Sequence, residues 1–283
     1  MTSDELANPF FGGDSGVRSL NRARIVALPG VQVADDILGQ NGYQLLSSET
    51  LRREIVAVAD ALHLDPAAPD LIRSFDGCFD DPPTRPAALR IAGSYGRRLG
   101  YLLLMLHHGD AENRAGRPEW SGAHWKFWAD VEHIYVGGGM LAGRLGQHAV
   151  AVAREVLAAY GAALDLQLSL YGVHLPLVGL ARSAPAGLGH MLLLDFGQTS
   201  VKHGEATYID DAVARLDVWQ NAPTVCSDLF ETEYTVAQVR ERWAQMRAII
   251  QESWSRIPAA DQATTGVGMS LSLLSPGWAS LAA

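Results

Sequence analysis

The chain has 283 residues, 48% of them hydrophobic, with a formal net charge of −9 and a pI near 5.4. Such an apolar share, with a mean hydropathy of +0.04, excludes a disordered chain, and the negative charge argues against general binding to nucleic-acid phosphates. The longest unbroken apolar run, Tyr101 to Leu106, is far short of the roughly 20 residues that span a bilayer, so no membrane partner is expected. This length has room for two lobes or one large α/β domain. The N-terminus, Met1-Thr-Ser-Asp-Glu-Leu, lacks the basic-then-apolar pattern of a signal peptide. Cys78 and Cys226 are too isolated for a disulfide framework or a zinc motif, so the cytoplasm is the expected compartment.

Residues 1–46 read as mostly loop. Asn8-Pro-Phe-Phe-Gly-Gly-Asp-Ser-Gly16 is turn-like, and Ala23 to Leu28 is a short strand ended by Pro29-Gly30. Ser47 or Ser48 caps an expected helix through about His63, with Leu51, Ile55, Val58 and Leu62 on one stripe. A longer helix is expected from about Pro86 to His107, with proline near its first turn. Gly93, Gly96 and Gly100 weaken it but permit close packing against another helix or a nucleotide. His107-His108 point apart on a helix and lack further ligands, so they read as structural rather than metal-binding. Trp120, Trp125, Phe127 and Trp128 read as core or interface.

Two stretches carry chemistry. In the first, a short apolar strand, His133-Ile-Tyr-Val136, runs into Gly137-Gly-Gly139 and Met140, and a helix follows from Gln147 to about Tyr160. Backbone without side chains can approach a flat ligand, and the helix N-terminus is an anion site. The spacing does not fit the dinucleotide fingerprint. Leu166 to Val178 reads as strand broken at Gly172 and Pro176, and Gly179 to Gly189 as a loop. The second stretch is Met191-Leu-Leu-Leu-Asp-Phe-Gly-Gln-Thr-Ser-Val-Lys-His-Gly204, a buried strand, a polar turn and a returning strand through Ile209. Gly197 lets backbone come close to a ligand, and turn N–H groups with the Thr199 and Ser200 hydroxyls form a nest for phosphate. Asp195 sits at the strand end, where a carboxylate can hold Mg²⁺ directly or through water. Lys202 is one of only two lysines, with Lys126. Ala212 to Val218 is a further strand, Thr235 caps a helix through about Trp254, and Thr265 to Gly277 reads as a buried strand with a Pro-Gly turn.

Asp195-x-Gly197-x-Thr199 resembles the first phosphate loop of the sugar kinase/Hsp70/actin superfamily, and Leu194 to Lys202 is most similar to the ROK-type sugar kinases. The strand ending in Gly137-Gly-Gly139 resembles that family's adenosine motif, and the 86–107 helix and the closing strand fit its pattern. The motif order is reversed relative to the family, which a circular permutation joined through Gly179 to Gly189 reconciles. The resemblance implies a two-lobed actin-like (ribonuclease H-like) α/β ATPase fold. Residues 1–185 would form the adenosine-side lobe and 186–283 the phosphate-loop lobe.

It implies ATP and Mg²⁺ as cofactors, held between the lobes, and phosphorylation of a sugar hydroxyl. Asp195, Gly197, Gln198, Thr199, Ser200 and Lys202 would meet the phosphates, with Asp195 at Mg²⁺. Gly137, Gly138, Gly139 and Met140 would meet the adenosine. The family's catalytic base is an aspartate in an Asn-Asp pair, and no such pair exists in this chain. Asp14, beside Gly12-Gly13 and Gly16, is the candidate by position. The family's zinc-binding cysteine segment is also absent. The partners implied are a nucleotide and a sugar, with a homodimer left open. A protein of the same fold without phosphotransfer, acting as a sensor or assembly component, is the alternative. An unrelated α/β protein whose glycine loops are only turns is a third.

Overall fold

The computed structural model describes residues 9–10, 19–34, 36–197, 200–224 and 235–271. The chain is a mixed α/β protein with two compact units, Met1–Gly172 and Val173–Ala283. No described helix is long and apolar enough to cross a membrane.

The first unit is mainly helical: α1 (Gly42–Leu46), α2 (Ser48–Ala57), α3 (Ala59–Leu62), α4 (Leu71–Phe75), α5 (Arg85–His108), α6 (Ala111–Ala115), α7 (Gly122–Asp130) and α8 (Arg144–Ala159). Two short parallel strands, β1 (His133–Val136) and β2 (Asp165–Leu168), flank α8 in sequence and pair with His133 opposite Asp165. The single helix expected from Ser47 to His63 is two, because Val58 leaves helical geometry at φ −129° and ψ 24° and starts α3. Its apolar stripe survives, with Leu51, Ile55 and Leu62 buried.

Helix α5 is the spine of this unit. Its first half (Ala88, Ile91, Ala92, Tyr95) packs with Leu51, Ile55, Leu71, Phe75 and Leu145. Its second half (Leu99 to Leu106) packs with Ile25, Leu45, Trp120, Trp125, Val150 and Leu157. The aromatic residues 120 and 125 are thus core, as the sequence suggested. Helices α5 and α8 meet through glycine. A Cβ on Gly96 would strike the Ala149 carbonyl oxygen, and one on Gly100 would lie 2.7 Å from Val156 Cβ. Gly93, by contrast, has only Arg97 within reach, at 3.6 Å.

Two polar side chains of this unit make pairs across long stretches of sequence. Asn113, 1% exposed, accepts from Val26 N–H at 2.9 Å and Ala27 N–H at 3.2 Å, and donates to the Ala27 carbonyl at 2.7 Å. Its amide therefore does for residues 26–27 what a neighbouring strand would do. Arg98 makes a two-toothed ion pair with Glu54.

The second unit is a sheet covered on both faces. Its elements are α9 (Leu175–Arg182), β3 (His190–Phe196), β4 (Ser200–Ile209), β5 (Ala212–Val218), β6 (Ala222–Pro223), α10 (Val236–Ser255) and β7 (Thr265–Leu271). The strands lie in the order β5-β4-β3-β7, with β6 also on β4; β3 is antiparallel to β4 and parallel to β7. Asp210 and Asp211, at φ 51° and 60°, make the tight β4–β5 turn, a conformation that short polar side chains tolerate. Alternation divides the sheet cleanly. Met191, Leu193, Ala206 and Tyr208 face Leu177 and Ala181 of α9. Leu192, Leu194, Phe196 and Val201 pack with Met246 of α10. A Cβ on Gly268 of β7 would meet the Met191 methyl, which lies over it.

Helix α9 corrects one expectation: it falls where strand and loop were read. Pro176 lies in its first turn, where a missing N–H loses no helical bond, so this proline starts the helix instead of breaking a strand.

Two outcomes are expected. Gly96→Ala should lower stability by about 1–3 kcal/mol through overpacking, whereas Gly93→Ala should raise it by about 0.5–1 kcal/mol. Urea unfolding of the two variants decides; equal effects would contradict the close α5–α8 contact. Tyr95 supplies the second. Its hydroxyl donates to the Leu46 carbonyl at 2.9 Å, and burial pushes its pKa up from 10.0 to about 12. The unfolded phenol ionises first, so this contribution is whole below pH 10 and is lost as pH rises to about 12. Its size is on the order of 2–3 kcal/mol. In Tyr95→Phe this part of the alkaline loss should vanish from unfolding curves taken across that range.

Candidate phosphate hairpin and glycine loop

Strand β3 is buried over Met191 to Phe196 and delivers Asp195, 3% exposed, to its C-terminal end. The antiparallel register sets Asp195 opposite Lys202, so both side chains leave the same face of the sheet. Lys202 Nζ lies 2.9 Å from Asp195 Oδ2, and the two side chains are 14% and 4% exposed. Most of this ion pair is out of water, where an unpaired carboxylate would be strongly unfavourable. Gly197 N–H points inward to the Ser200 carbonyl at 3.2 Å and the Asp195 carbonyl at 3.0 Å. The Gly197 carbonyl accepts from Thr224 Oγ1 at 3.1 Å. A Cβ on Gly197 would stand 2.5 Å from Lys202 Nζ, so a side chain there would push the ammonium aside.

These contacts alter the expected roles. Gly197 N–H is spent inside the turn, so it adds nothing to an anion nest. Ser200, half-buried, contributes its carbonyl to the same closure. Gln198, Thr199 and Asp14 lie outside the described residues. Mg²⁺ was expected at Asp195. It demands near-octahedral oxygen ligands, and here one carboxylate oxygen already carries an ammonium. Among the described residues, no group of three or more His, Cys, Asp or Glu side chains could hold a metal ion. The residues present do not fit a directly held Mg²⁺.

The other face of the hairpin holds a contact that no motif announced. His203, 3% exposed, has Nδ1 2.7 Å from Ser253 Oγ and Nε2 2.7 Å from the Gln220 carbonyl, with Trp219 edge-on at 5.4 Å. A carbonyl only accepts, so Nε2 carries a proton, and in the neutral ring Nδ1 accepts from the serine. Ser253 is fully buried. The pair ties β4 to α10 and offers no nucleophile to solvent.

In the first unit, β1 leads into the Gly137–Gly139 loop and then α8. Gly138 is at φ +111° and donates to the Gly172 carbonyl at 3.1 Å; side chains on Gly138 or Gly139 would meet open space. Backbone there is therefore accessible to a ligand. Met140 packs with the Leu145 cluster and is partly buried. The N-terminus of α8 differs from expectation. Asp76 Oδ1 accepts from Leu145 N–H at 3.2 Å, and a Cβ on Gly143, the N-cap, would collide with that carboxylate. The anion site of this helix is held by the chain's own aspartate, which suits the helix dipole. Asp76 lies 69 residues from Leu145 in sequence, and only folding brings them together.

Comparison of the chain with protein-family models, curated proteins and solved structures finds no match.

Removal of the ammonium gives a direct test of the pair. Lys202→Met strands a buried carboxylate and should lower stability by roughly 3–5 kcal/mol, with much of that loss recovered in Asp195→Asn/Lys202→Met. Urea titration of the single and double variants measures it, and an unperturbed single variant would contradict the buried pair.

Proposed function

We propose that the chain is an actin-like, sugar-kinase-type protein that binds the phosphates of a nucleotide at the β3–β4 turn. The observation that carries this reading is the placement of Asp195, Gly197 and Lys202 at the C-terminal end of a buried central strand. That is where ligands of α/β sheets are held. The order of elements supports it further. A hairpin, a third strand, a helix and a strand parallel to the first lie in one sheet, as the ribonuclease H-like phosphate-loop lobe requires under the permuted reading. ATP is the nucleotide the resemblance implies, with a sugar hydroxyl as acceptor. In such a transfer the protein mainly positions the phosphoryl group and balances its charge, and Lys202 is the cation placed to do so. Any Mg²⁺ would arrive on the nucleotide's own phosphates.

One observation favours the non-catalytic alternative, a nucleotide or sugar sensor. Asp195 is occupied by Lys202, and the chain contains no Asn-Asp pair to supply a family-type base.

Thermal unfolding with ATP and with ADP tests binding. A nucleotide at about 100 times its dissociation constant should add roughly 2.7 kcal/mol to stability. No shift at saturating nucleotide would contradict the reading. ADP release that depends on an added sugar separates the kinase from the sensor.

A further inference from the structure

We propose that Lys202 stands in for the divalent cation at this hairpin, so that phosphate binding there does not require Mg²⁺. Resting on the nucleotide reading above, the inference begins from where the ammonium is held. Its position follows from backbone pairing: Asp195 and Lys202 are direct partners across β3 and β4. The ammonium lies 2.9 Å from Asp195 Oδ2 and against the turn, at the point that a Cβ of Gly197 would crowd. An ammonium has three N–H donors, and a single hydrogen bond, to Asp195, engages it among the described residues. Donors remain for phosphoryl oxygens.

Residue choice points the same way. The chain carries 22 Lys and Arg, of which only Lys126 and Lys202 are lysine. Lys126 is exposed on α7 and pairs with Asp130. At position 202 a compact point charge fits beside Gly197, where a planar guanidinium would need more room. A divalent cation on Asp195 would sit against this buried positive charge or have to displace it. Asp195 is accordingly a positioning residue for Lys202 and not a metal ligand.

The test uses the full chain, with ADP and inorganic pyrophosphate as probes in separate calorimetric titrations. Each is run with EDTA and again with excess Mg²⁺. Both probes should bind in EDTA, with affinities that Mg²⁺ changes by less than about tenfold. The variant Asp195→Asn/Lys202→Gln removes both charges while keeping polar partners. With its fold verified by circular dichroism, it should lose about tenfold or more in affinity under both conditions. Binding that appears only with Mg²⁺ overturns the inference and leaves the nucleotide reading standing. Absence of binding in either condition overturns both, and full affinity in the double variant removes Lys202 from the site.

Discussion

The buried pair between Asp195 and Lys202 is the constraint around which the second unit is arranged. A carboxylate at the end of an otherwise apolar strand is tolerable only with a cation beside it, and the hairpin register supplies that cation from the adjacent strand. Glycine at 197 leaves room for the ammonium, which a side chain there would push aside. The rest of β3 is apolar: Met191 and Leu193 toward α9, Leu192 and Leu194 toward α10. Covering both faces fixes the register of β3, because a one-residue slip would exchange the two faces and separate Asp195 from Lys202.

The first unit meets its constraint differently. Its long helix α5 gains proximity to α8 by giving up side chains at Gly96 and Gly100, despite the lower helical propensity of glycine. That contact positions α8 and, through it, the Gly137–Gly139 loop and its exposed backbone. The start of α8 carries its own carboxylate in Asp76. A ligand at this loop would thus meet backbone rather than an open helix dipole.

Strong periodicity made the long elements legible. The helices expected at 86–107 and 235–254 are found at Arg85–His108 and Val236–Ser255, and the β3–β4 hairpin is where its apolar run and polar turn place it. Helix α9 was hidden because Pro176 and Gly179 look like breakers, and its apolar face shows itself only against the sheet it covers. The site was half legible. Asp195, Gly197 and Lys202 stood out as residue types, but their mutual contact depends on register. Counting outward from the turn would have paired 195 with 202 and cast doubt on a metal there. The Asp76 cap and the His203–Ser253 tie join residues 69 and 50 positions apart, and no local pattern marks them.

The most direct measurement is amide hydrogen exchange over residues 196–203, with and without ADP. Exchange should slow in this segment when ADP is added to the wild-type chain, and should be unaffected by ADP in Asp195→Asn/Lys202→Gln. Slowing of equal size in that variant, or none in the wild type, would contradict a phosphate site built on Lys202.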